Sequence, residues 1–165
     1  MATAPPSTLH RAAPTTTDGS IVPGIHRQVI SEATATRTLL PEESGSLCLF
    51  DRAAGVVYTL PAPAVGMHFD FEVSVAVTSN AHKVITDAAT TFLLGGVVSG
   101  NLTVAASGDV FQANGTTHVA ISQNGTDTGG LIGGRLSFTA ISSTKWMVSG
   151  INIGSGTNAD PFATS

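Results

Sequence analysis

Three side chains able to hold a metal ion or move protons stand at alternate positions in one short run, His68-Phe69-Asp70-Phe71-Glu72. Side chains of a β-strand alternate between its faces, so this spacing would line up an imidazole and two carboxylates on one side. Ordinary alternation on a half-buried strand gives the same pattern without a metal, and a solvated polar face is the expected reading. A polar contact between subunits comes second and a metal site third, so no metal is expected.

The other chemistry-bearing residues form no recognisable constellation. Gly129-Gly130-Leu131-Ile132-Gly133-Gly134 is glycine-rich, but it matches neither phosphate-loop spacing. The text after it reads as a strand, not the helix whose N-terminus would receive a phosphate. Cys48 lies between Leu47 and Leu49, and alternation puts it on the opposite face from both, as a packed thiol. Histidines at 10, 26, 68, 82 and 118 are scattered, and no nucleophile elbow accompanies them. Trp146 and Tyr58 are the sole tryptophan and tyrosine, too few for a carbohydrate-binding strip; Trp146 is expected in the core or at an interface. No enzyme activity and no cofactor are expected.

The elements that would position these residues are strands. From Met67 to Thr78 the odd positions are Met, Phe, Phe, Val, Val and Val, and the even ones are His, Asp, Glu, Ser, Ala and Thr. That is a period of two, with one apolar face and one wet face. Shorter strands are predicted over 46–51 and 56–60 around a hairpin-like turn at Arg52–Gly55, and over 83–86 and 91–94. Further strands are predicted over 101–106, 109–113, 117–122, 134–141 and 146–153. Asn114-Gly115 falls where a type I′ hairpin turn would, and Gly95-Gly96 reads as a bend or bulge. Thr34, Thr36 and Thr38 make 31–40 a better strand than helix. Many short strands between turn signals point to a single all-β domain, an antiparallel sandwich or barrel.

The first thirty residues are different text. Pro5, Pro6, Pro14 and Pro23 with Thr15-Thr16-Thr17 suit neither a helix nor a central strand. Residues 1–30 are predicted to be an extended arm and residues 31–165 the β domain. Such an arm orders by lying against something else, and its apolar anchors would be Leu9, Ile21, Val22, Ile25, Val29 and Ile30.

Composition narrows the partners. The 165 residues carry seven Lys and Arg against eleven Asp and Glu, a formal charge of −4, and only 11% are charged. A nucleic-acid binder is disfavoured by the acidic balance. A single cysteine rules out an intrachain disulfide. No export signal is read in residues 1–20, because they lack its apolar core, and no long apolar stretch suggests a membrane span. The Asn-x-Thr sequons at Asn101, Asn114 and Asn124 are read as chance, two of them being Asn-Gly turns.

One pattern goes further. Thr36-Arg-Thr-Leu-Leu-Pro-Glu-Glu-Ser-Gly45 is followed by Leu47-Cys-Leu-Phe-Asp-Arg-Ala-Ala-Gly55. Then come Tyr58-Thr-Leu-Pro-Ala-Pro-Ala-Val-Gly66 and Phe69-Asp-Phe-Glu-Val-Ser-Val. With Lys83-Val-Ile-Thr, Phe92-Leu-Leu-Gly-Gly96, Leu136-Ser-Phe-Thr-Ala and a closing Lys145-Trp-Met-Val-Ser-Gly150, the text over about 34–151 resembles a β module of tailed-bacteriophage virion proteins. Among these, the short chain with a proline-rich arm is most similar to small head-decoration, or cement, proteins. The resemblance implies a non-enzymatic structural protein on the capsid exterior, assembled in the host cytoplasm. Its partners would be the major capsid protein and further copies of itself, as a homotrimer, with no nucleic acid and no membrane. The alternative it carries is a tail or fibre module binding a host glycan, for which His68, Tyr58 and Trp146 would be the contacts to test. The resemblance rests on strand and turn residues, so it transfers no binding site.

Overall fold

The computed structural model describes residues 27–31, 34–103 and 108–165, and among them the regular structure is twelve strands and one 3-10 turn, Pro41–Glu43. The first six strands are β1 (Val29–Ser31), β2 (Thr36–Thr38), β3 (Leu47–Phe50), β4 (Val57–Thr59), β5 (His68–Val73) and β6 (His82–Ile85). The other six are β7 (Phe92–Asn101), β8 (Gly108–Asn114), β9 (Ala120–Gln123), β10 (Arg135–Ser142), β11 (Lys145–Gly154) and β12 (Phe162–Ala163). They form a seven-stranded sheet in the order β1-β3-β5-β10-β11-β7-β8 and a five-stranded sheet in the order β12-β9-β6-β4-β2. The all-β architecture is the expected one, as a two-sheet sandwich.

Strand polarity departs from the antiparallel expectation, because the first half of the chain alternates between sheets. The odd strands β1, β3 and β5 stack parallel in one sheet. The even strands β2, β4 and β6 stack parallel in the other. A chain that crosses to the facing sheet and returns meets its own sheet again in the same direction, so it winds as a flattened coil with two strands per turn. The Arg52–Gly55 turn is therefore a crossing between sheets, not a hairpin. Asn114-Gly115 likewise carries β8 of one sheet to β9 of the other. There the Asn114 carboxamide oxygen accepts from the Thr116 and Thr117 N–H groups at 2.9 and 3.0 Å, a local turn that leaves the next strand free to join either sheet. The second half supplies antiparallel pairs: β7 with β8, and β10 with both β5 and β11.

The predicted strand at 91–94 continues to Asn101 as β7; of the strand predicted over 101–106, residues 102 and 103 lie outside any strand and 104–106 lie outside the described residues. The register of β7 against β11 runs unbroken from Phe92 to Asn101, so Gly95-Gly96 is neither bend nor boundary. Gly95 takes a positive φ of 112°, and a side chain there would run into the Val148 carbonyl of β11. Glycine is thus what lets two neighbouring backbones approach at mid-sheet. The predicted 67–78 strand ends early, at Val73. Ser74 and Val75 both donate backbone N–H groups to the Phe50 carbonyl, at 3.1 and 3.0 Å, which turns the chain out of the sheet.

The core lies between the sheets and is aromatic. Phe50, Tyr58, Phe69, Phe71, Phe138 and Trp146 are all buried. Phe71 of one sheet sits 5.4 Å from Tyr58 of the other, 5.7 Å from Phe50 and 5.3 Å from Phe138. Tyr58 buries its ring and satisfies its hydroxyl by donating to the Leu49 carbonyl at 2.9 Å. Phe71→Ala would remove the ring that touches three others, and truncation of a buried phenylalanine costs about 3–5 kcal/mol. Urea denaturation of this variant is expected to show a loss of that order; Gly95→Ala should also destabilise, through the Val148 clash.

Candidate functional site

Register places the outward side chains of the seven-stranded sheet in three rows across β5, β10, β11, β7 and β8. The first row is His68, Thr139, Met147, Leu94 and Asn114; the second is Asp70, Ser137, Ser149, Gly96 and Gln112; the third is Glu72, Arg135, Ile151, Val98 and Val110. The middle row is small and polar, so it forms a floor between two taller rows. Two shallow depressions lie along it, of about 380 Å³ beside Asp70 and about 450 Å³ beside Gly96. Five strands span about 19 Å at the usual inter-strand spacing. The face is wet with hydroxyls at its centre. It is apolar towards β8, where Ile151, Val98 and Val110 are exposed side by side.

The β5 end of this face carries the charges. Asp70 stands on the wet face of its strand as predicted, yet it is buried. Arg27, from the segment before β1, lies over it and pairs with its carboxylate, and Arg135 of β10 reaches the same oxygen at 3.4 Å. Arg27 also donates to the carbonyls of Gly45 and Ser46, at 2.9 and 3.3 Å. Burial would raise the Asp70 carboxyl, but the Ser137 hydroxyl and the two arginines outweigh it and hold the group below its ordinary range. The pair ties the incoming chain to the middle of the sheet.

The predicted site residues fare differently. Leu9, Ile21, Val22 and Ile25 lie outside the described residues. Val29 is 55% exposed, on the edge strand β1. Ile30 is 4% exposed in the core, so it holds the domain together and offers nothing to a partner; β1 pairs with β3, and the sheet begins before residue 31. His68 and Glu72 are exposed on either side of the saturated Asp70. Among the described residues no group of three or more His, Cys, Asp and Glu side chains could hold a metal ion. Tyr58 and Trp146 are wholly buried and present no ring to a sugar. Cys48 is buried, and burial, reinforced by Glu43, pushes its thiol up to about 12.

His82 is also wholly buried, on the same face of β6 as Val84. Its ring stacks on Phe50 at 4.6 Å. The Val56 N–H donates to Nδ1 at 3.3 Å and Nε2 lies 3.0 Å from the Val75 carbonyl, so the neutral ring with its proton on Nε2 satisfies both. Burial lowers its pKa, against the opposing pull of the Val75 carbonyl and Asp51. No family model, no curated protein and no solved structure matches this chain.

The two depressed pKa values set the pH response. A histidine with a folded pKa below its unfolded value of 6.5 contributes stability that is full above that value. That contribution is lost as pH falls towards the folded pKa, because the unfolded chain then binds the extra proton. Asp70 has the same sign around its unfolded value of 3.8. Urea midpoints measured from pH 7.5 downwards are expected to fall below pH 6.5 and again below 3.8; a midpoint rising on acidification would contradict both assignments.

Proposed function

We propose that this chain is a structural component of a tailed-bacteriophage particle, a decoration protein that seats on the lattice of the major capsid protein. The observation that carries the reading is the outer face of the seven-stranded sheet. There a broad five-strand surface presents Ser137, Ser149 and Thr139 beside exposed Met147, Ile151, Val98 and Val110. Hydroxyls give up water at modest cost when an interface returns their hydrogen bonds. Exposed apolar residues gathered on one face mark protein contact more often than chemistry. Repetition of a weak contact over many lattice sites multiplies it into firm attachment.

Arg27 is clamped to Asp70 at the β5 end of this face. The arm given the role of reaching a neighbouring subunit therefore joins the domain beside the contact surface. The alternative reading, a tail module recognising a glycan, has little support, because both candidate platform rings, Tyr58 and Trp146, are buried.

The test is co-sedimentation with purified, undecorated heads. A chain shortened to begin at Arg27 keeps Ile30 in the core and the Arg27–Asp70 pair, so it is expected to melt close to the full chain. It is also expected to lose at least about tenfold in head affinity. Undiminished binding would exclude the arm as an attachment device, and no binding by the full chain would overturn the decoration reading.

A further inference from the structure

The long edge strand of the seven-stranded sheet is β8, and among the described residues β7 is its one strand neighbour. In an antiparallel ladder, alternate residues turn their N–H and C=O groups to opposite sides. The Gly115 N–H donates to the Leu93 carbonyl at 2.8 Å, and this bond sets the phase. Ala113, Phe111 and Asp109 face β7, while Asn114, Gln112, Val110 and Gly108 face outwards. The outward N–H of Asn114 is already taken, donating to His118 Nδ1 at 3.3 Å. Among the described residues, Gly108, Val110 and Gln112 therefore remain open, three outward positions symmetric about Val110.

We infer that β8 pairs with β8 of a second copy of this chain, antiparallel about a two-fold axis through Val110. In that register Val110 exchanges both backbone hydrogen bonds with its counterpart, and Gly108 opposes Gln112 on each side. All the open positions are used and the blocked Asn114 falls outside the pair. The only charge on the strand is Asp109, held by the Asn158 side chain at 2.8 Å. It would oppose Phe111 of the second copy rather than a second carboxylate.

Side chains agree with the backbone. Val110, Val98 and Ile151 are 66%, 49% and 56% exposed and stand in one row across β8, β7 and β11. Two-fold pairing joins this row to its copy across the axis and removes the strand edge that soluble proteins otherwise protect with proline or charge. β8 has neither proline nor lysine. A two-fold contact is isologous and closes at two copies, unlike the trimer that the resemblance implies.

The full chain is tested by sedimentation equilibrium and by cross-linking. The wild type is expected at twice the chain mass at concentrations up to about 100 μM. Val110→Lys, at an exposed position, should weaken the dimer by at least about tenfold while the far-ultraviolet circular dichroism of the folded chain stays unchanged, with melting lowered only by the lost association. Val110→Cys should give a disulfide-linked dimer on a non-reducing gel, since the two Cα atoms of such a pair lie about 5.5 Å apart and the native Cys48 is buried. A single-chain mass throughout, a three-chain mass, or a dimer that Val110→Lys leaves intact and Val110→Cys fails to cross-link would overturn the inference.

Discussion

The structure depends on one contact between its sheets, the aromatic stack in which Tyr58 meets Phe50 and Phe71, and Phe71 meets Phe138. A chain with 11% charged residues cannot hold its shape by ion-pair networks. A chain that winds back and forth between sheets must bury something large at each crossing. β3, β4 and β5 are consecutive, lie alternately in the two sheets, and each contributes one ring to this stack. The crossings, the parallel ladders and the buried His82 on Phe50 all follow from closing it.

The outer face inherits its character from the same economy. With the rings turned inwards, the outward positions of β10, β11 and β7 are left to Ser, Thr, Gly and a few aliphatic side chains. The surface that results is broad and low, poor in charge except at its β5 end, where Glu72 is exposed and Arg27 and Arg135 close over Asp70. It suits contact with another protein surface, and pairing through β8 would double its width.

Legibility in the sequence follows the range of the forces involved. β10 and β11 are readable because alternation runs for eight to ten residues and a polar turn separates them. β1, β2 and β12 span only two or three residues, too short for a period to show, so Ile30 reads as part of the arm beside its proline-rich neighbours. Gly95-Gly96 looks like a break because its cause, the Val148 backbone, is some fifty positions away. The turns at Arg52–Gly55 and Asn114-Gly115 stand where the sequence places them, but they join different sheets rather than closing hairpins. Turn residues specify local backbone angles and leave the choice of sheet to the core. Asp70 sits on the predicted face, while its burial comes from an arginine 43 positions upstream. The three outward rows are invisible in the sequence, because register between distant strands has no local signal.

The proposed capsid-coating role is tested on the particle itself. Cryo-electron microscopy of purified particles carrying the chain measures its position and copy number directly. Density is expected at every equivalent site of the head surface, with the outer face of the seven-stranded sheet turned towards the capsid subunits. A few copies confined to the tail, or no density on the particle, would contradict it.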